Sequence, residues 1–233
     1  MSVHFTITPD MERKLSGWHT HLQSKKTAST PQPCITLSRE FGCQAYLVAE
    51  ALQTRLNAAK NEDEQWVVLD RKLLEKISEE SGFSPSEIEH ARDTNPTFQS
   101  LVSMFMGQSK AEHTQVLVYT QKAIQHFAKA GNCIIVGRGA ASFTQDFENC
   151  IHVRLIASME YRCKIIMDRL NLNEKEAKEY IDQHQRQRNE FIKHYTKADL
   201  TDPAMYHLVI NNEKNSADEI ASTIESYMKI KNS

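Results

Sequence analysis

Short apolar runs alternate along the chain with longer segments in which apolar residues recur every three or four positions. The first pattern is typical of buried strands and the second of amphipathic helices. We predict strands at 35–38, 66–69, 133–136, 150–156 and 207–210. We predict helices at 46–56, 71–80, 113–130, 158–170, 173–195 and 217–228. This alternation predicts an α/β fold, with a mostly parallel five-stranded sheet that is covered by helices on both faces.

Several polar or glycine positions fall where the predicted strands end. Ser38, Asp70, Gly137 and Arg138 each lie at or just after the carboxyl end of a strand. Parallel sheets bind ligands beyond these ends, which meet along one edge of the sheet. The sequence therefore predicts a ligand site at this edge.

The turn between the first strand and its helix has the architecture of a phosphate site. A strand that feeds a helix N-terminus presents free backbone N–H groups and the positive end of the helix dipole. A full phosphate loop, G-x-x-x-x-G-K-[ST], adds a lysine and a hydroxyl. Here Gly42 is present, but Ala45 stands roughly where the lysine would be. The turn therefore predicts phosphate binding without the usual cation.

Composition narrows the classes of partner. The 233 residues carry a formal net charge of −2, which gives no reason to expect nucleic-acid or membrane binding. No apolar run approaches the roughly 18 residues that span a bilayer, and the N-terminus lacks the pattern of a secretory signal. The five cysteines show no metal-ligand spacing, so we expect buried thiols, no protein-bound metal and a cytoplasmic location.

The first 33 residues are polar and end in a segment with two prolines, which does not continue a helix. We predict an N-terminal extension and linker at 1–33, followed by one domain at 34–233. An apolar cluster at 98–106 is expected to be either core or the surface of a homodimer.

The order of several segments resembles the cytidylate kinase-like branch of the P-loop nucleoside monophosphate kinases. The start ITLSREFG at 35–42 is similar to that family's ITISREFG, and IIVGRGA at 134–140 is similar to its VIVGRGA. Further similar segments are LDRKLL at 69–74, HVRLIA at 152–157, and the lid and last strand at 188–211. The resemblance covers the chain from Cys34 onward.

This resemblance implies a three-layer P-loop fold with a helical lid at approximately 171–203. It also implies nucleotide partners and phosphoryl transfer from ATP, with Mg²⁺, to a nucleoside monophosphate such as CMP or dCMP. The implied catalytic residues are Arg39, Arg138 and Arg188. The implied residues for the donor nucleotide are Ser38, Gly42, Cys43, Gln44, Ala45, Arg162 and Arg186. Arg138 and Asp70 are implied to bind the acceptor.

Each assignment has a structural alternative. Arg39 and Arg138 could form ion pairs with carboxylates, and Asp70 could cap the helix that follows it. The charged lid region could be a solvated helix face, and Arg162 could be structural. Alternatives for the whole chain are a nucleotide-binding module without turnover, or a kinase for another small substrate. Departures from the family pattern at Gln44, Ala45, Gly139 and Gln185 favour the module.

Overall fold

A parallel sheet forms the centre of the molecule. The computed structural model describes residues 32–58, 60–61, 64–69, 121–196 and 198–231, without the side chains at 191, 194 and 195. The strands of this part are β1 (Cys34–Arg39), β2 (Val67–Leu69), β3 (Cys133–Val136), β4 (Cys150–Ile156) and β5 (Leu208–Asn211). They pair in parallel in the order β2-β3-β1-β4-β5, which confirms the predicted fold class.

The predicted helices of this part lie close to their expected positions, and one further short helix, Ala140–Phe143, was not predicted. The helices are α1 (Ala45–Asn57), α2 (described over 121–130), α3 (Ala140–Phe143), α4 (Met159–Leu170), α5 (Glu174–Thr196) and α6 (Ala217–Lys231), with a 3-10 turn at Pro203–Met205. Ser158 begins α4 because its hydroxyl accepts a hydrogen bond from the Tyr161 N–H. The predictions at 1–31, 71–80, 98–106 and Asp70 lie outside the described residues.

Both faces of the sheet are buried, as parallel strands require. Alternate residues of β1, such as Ile35 and Leu37, pack in one core cluster with α1 and α6. The opposite face, which includes Cys34, packs in a second cluster with α2 and α3. Since side chains alternate along a strand, successive residues of β1 pack against different sets of helices.

Three cysteines start three neighbouring strands. Cys34 of β1 is in register with both Cys133 of β3 and Cys150 of β4, and all three are buried and free. Hydrogen bonding with the Cys133 thiol and burial hold the pKa of Cys34 well above its usual value. These residues therefore act as small apolar groups in the sheet, as the sequence predicted.

Candidate functional site

The turn from β1 into α1 lies in the middle of the carboxyl edge of the sheet. β1 is flanked by β3 and β4, and the Glu40 N–H donates to the Leu155 carbonyl of β4 at 3.0 Å. α1 then begins at Ala45, so residues 40–44 form the turn. This turn therefore lies in the middle of the sheet edge at which the sequence predicted a ligand site.

Arg162 of α4 supports this turn from behind. Its Nε donates to the Ala157 carbonyl at 3.2 Å, and its Nη1 donates to the Phe41 carbonyl at 3.3 Å. The same Nε lies 3.7 Å from the Glu40 carboxylate. Gly42 has a φ of +99°, and a Cβ on it would lie 2.7 Å from the Arg162 Cβ. These contacts favour the structural alternative for Arg162 over a role in binding a nucleotide.

Some backbone N–H groups of the turn are already used. The Phe41 N–H donates to the Gln185 side chain of α5 at 2.6 Å, and the Gln44 N–H donates to the Asn212 side chain at 2.8 Å. The Cys43 N–H donates to the Glu40 carbonyl at 3.2 Å.

Other N–H groups of the turn have no acceptor within the part of the chain that the structure describes. These are the N–H groups of Gly42, Ala45 and Tyr46. The Gln44 Oε1 accepts from the Tyr161 hydroxyl at 3.0 Å. The start of α1 thus keeps donors for an anion.

Arg39 is a half-buried cation at the end of β1. Its guanidinium packs against Gly137, where a Cβ would collide with it. Burial lowers the pKa of Arg39. Among the described residues, no carboxylate lies within 4.0 Å of it, so the alternative of an ion pair finds no partner there.

Arg188 brings a second guanidinium to the same place. Its Nη1 donates to the Arg39 carbonyl at 3.1 Å, and its Cζ lies 5.4 Å from the centre of the Phe41 ring. Burial, and then the charges of Arg39 and Arg154, lower the pKa of Arg188 to about 9. Two like charges in a partly desolvated place favour binding of an anion, which would remove their repulsion.

The other predicted lid cation, Arg186, does not join this pair. It is exposed, and its Nε donates to the Asp182 carbonyl of its own helix at 3.3 Å. Arg186 and Arg188 are two positions apart on α5, so they point in different directions. Of the two predicted arginines of α5, Arg188 therefore lies at the turn and Arg186 does not.

Arg138 lies in a tight turn after β3. It has a φ of +55° and stands between Gly137 and Gly139, which also have positive φ. A Cβ on Gly139 would lie 2.6 Å from the Ile192 Cδ1 of α5, so this turn is packed beneath the predicted lid. The binding of an acceptor by Arg138 stays a prediction, and its proposed companion Asp70 lies outside the described residues.

The sequence comparison decides the family. The profile of the Cytidylate kinase-like family matches residues 34–214. The chain belongs to the cytidylate kinase-like family. The resemblance found in the motifs is thereby confirmed, and membership supports a nucleotide-binding kinase without specifying CMP as the acceptor. No curated protein sequence matches the chain.

One solved structure resembles this member of the cytidylate kinase-like family in fold. An uncharacterized protein from Eubacterium ventriosum aligns with a TM-score of 0.65 at 21% identity, covering 85% of this chain and 98% of that one. A shikimate kinase from Bacteroides thetaiotaomicron aligns with a TM-score of 0.46 at 13% identity, covering 84% and 98% of the two chains. The likeness to the Eubacterium protein shows the fold alone.

The described residues fit part of the ligand set that a cytidylate kinase-like protein implies. The free N–H groups and the two arginines suit the phosphates of ATP. Within the described ranges, no group of three or more metal-binding side chains is found. The Glu40 Oε2 accepts from the Ala157 N–H at 3.0 Å and lies 3.7 Å from the Arg162 Nε, so this oxygen is already held by the protein. In these same ranges no helix is long and apolar enough to cross a bilayer.

Sequence reasoning assigned no contact with the turn and no ligand role to three polar residues near it, of which Gln185 was named only as a departure from the family pattern. Gln185 and Asn212 bond the turn, and Arg154 of β4 is only 4% exposed. An arginine inside an otherwise apolar strand was the available signal for Arg154. Ser38, which was predicted, lies 3.2 Å from the Tyr206 hydroxyl.

Proposed function

We propose that the chain is an ATP-dependent kinase that transfers a phosphoryl group to a nucleoside monophosphate, with CMP and dCMP as the first candidates. The observation that supports this most is the pair Arg39 and Arg188. Both are half-buried at the turn, and no described carboxylate lies within 4.0 Å of either one. Free N–H groups at the start of α1 lie next to them.

Phosphoryl transfer needs positioning and charge neutralisation rather than a nucleophile from the protein. The N–H groups of Gly42, Ala45 and Tyr46 would hold the donor phosphates. Arg39 and Arg188 would neutralise the charge that develops during transfer, in place of the missing lysine. When bound, Mg²⁺ supplies further neutralisation of the donor oxygens.

A second candidate is a protein that binds nucleotide without turnover. The side chains of Gln185 and Asn212 occupy two N–H groups of the turn that a phosphate could otherwise use. If these bonds persist when nucleotide is bound, the donor phosphates would be held less closely than transfer requires.

A coupled assay of ADP release separates these candidates. Wild type is incubated with ATP and Mg²⁺ together with CMP, dCMP, UMP or AMP in turn. We expect release that depends on one added monophosphate, and a loss of at least roughly 100-fold in kcat for Arg188→Met. The control Arg169→Met changes an exposed arginine of α4 and is expected to keep full activity.

Thermal unfolding with and without MgATP completes the test. Stabilisation by MgATP without ADP release for any monophosphate would replace the kinase proposal with the binding module. The absence of both would contradict both candidates.

A further inference from the structure

Arg154 is a buried arginine inside β4. Its side chain is only 4% exposed, and its position is in register with Ser38 of β1 and Val209 of β5. Desolvating an arginine costs several kcal/mol unless an anion compensates it, so buried arginines are usually paired. Among the described residues, no carboxylate lies within 4.0 Å of Arg154.

The neighbours of Arg154 do not neutralise it. Its Cζ lies 5.6 Å from the centre of the Tyr206 ring, a contact that orients a guanidinium without removing its charge. Hydrogen bonds from Thr201 lower the pKa of Asp199, and the charge of Arg154 contributes slightly to the same effect. That carboxylate is exposed and accepts from the Thr201 hydroxyl at 2.6 Å and from the Thr201 N–H at 2.8 Å.

The sheet places Arg154 apart from the N–H groups of α1. Val153 and Leu155 point into the core cluster that contains α1, so Arg154 belongs to the opposite face of β4. Arg154 is nevertheless near enough to Arg188 to help lower the pKa of that residue. A ligand held by Arg154 would therefore lie near Arg188, but on the opposite face of the sheet from the N–H groups that would hold the donor phosphates.

We propose that Arg154, together with the hydroxyl of Ser38, binds the phosphate monoester of the acceptor. This inference rests on the proposed function and adds a residue to its acceptor side. A guanidinium can bind two oxygens of a phosphate at once, and that of Arg154 lies over the Tyr206 ring. The Tyr206 hydroxyl donates to the Leu200 carbonyl at 3.0 Å and lies 3.2 Å from the Ser38 Oγ, so it lies beside the Ser38 hydroxyl on this face.

The first test uses inorganic phosphate as the probe. Thermal unfolding of wild type, Arg154→Met and Arg169→Met is measured in phosphate and in chloride of equal ionic strength. Methionine keeps much of the apolar stem but removes the charge, so we expect Arg154→Met to melt at the same or a higher temperature than wild type in chloride. Phosphate should stabilise wild type and Arg169→Met but not Arg154→Met. Equal stabilisation of all three, or of none, would overturn the proposal, as would a purely structural loss of stability.

The second test measures binding and turnover of CMP. We expect Arg154→Met to raise the Kd for CMP roughly 10- to 100-fold while the Kd for MgATP changes less than about twofold. The KM for CMP should likewise rise, and the KM for MgATP should stay nearly unchanged. If Arg154→Met releases ADP and its Kd and KM for CMP equal those of wild type, the Arg154 subsite is rejected and the kinase proposal is kept. Absence of ADP release, together with phosphate binding that depends on Arg154, would reject the kinase and keep the subsite.

Discussion

Replacing Arg162 with methionine is expected to destabilise the protein by removing the support of the phosphate turn. The Arg162 side chain is 10% exposed and that of Glu40 is 26% exposed, so both charges are largely removed from water. The substitution deletes the two hydrogen bonds to the carbonyls of Ala157 and Phe41. It also leaves Glu40 with only the Ala157 N–H as a described partner.

The magnitude follows from these contacts. Two unit charges about 4 Å apart attract by roughly 4 kcal/mol at an effective dielectric constant of 20, and desolvation offsets much of this. Removing one partner of a buried pair costs about 3–5 kcal/mol, because the other charge stays buried without compensation. Since Glu40 is partly exposed, we expect the free energy of unfolding to fall by about 3 kcal/mol for Arg162→Met.

A double-mutant cycle isolates the ion pair. Urea unfolding is measured for wild type, Glu40→Gln, Arg162→Met and the double variant. The double variant should be only slightly less stable than Arg162→Met, which gives a coupling energy of about 1–3 kcal/mol. Arg169→Met serves as the control for losing an arginine from α4. A coupling energy near zero would refute the view that Arg162 acts through Glu40.

Three further effects on stability are expected. The pKa of His152 is lowered from 6.5 to about 4, mainly by burial. The unfolded chain therefore takes up a proton before the folded one, and stability should fall by about 2 kcal/mol as the pH drops from about 7.5 to about 5. Urea unfolding at both pH values measures this, and His152→Gln should flatten the slope. Gly139→Ala places a side chain at a φ of +71° against Ile192 and should cost at least about 1–2 kcal/mol, seen as a lower melting temperature. Ser158→Ala removes the cap on Tyr161 and should cost about 1 kcal/mol in the same assay, and no loss would contradict that role.

Most of the described fold was predictable because its strands are continuous apolar runs. The prediction at 133–136 matches β3, and that at 150–156 matches β4. The short helix Ala140–Phe143 was not predicted, because a single turn carries too little periodicity to be recognised. The strand order was fixed only by tertiary pairing, which places β1 between β3 and β4.

The candidate site was less predictable than the fold. The position of the turn and of Arg39 follows from the strand-to-helix pattern at 34–49. The bonds from Gln185 and Asn212 to the turn join residues far apart in the chain, so no local pattern indicates them. The role of Arg154 depends on which charges surround it in three dimensions, and this information is absent from its sequence neighbours.

The contact between Arg39 and Gly137 makes the position of the Arg39 guanidinium depend on which residue stands at 137. The guanidinium needs the space that a side chain at position 137 would fill. Because this arginine lies at the end of β1 and not in the following helix, its guanidinium fits only if the residue that follows the neighbouring strand β3 has no side chain. Exchange of Arg39 for a smaller residue would free this space, but the φ of +76° at position 137 would still favour glycine there.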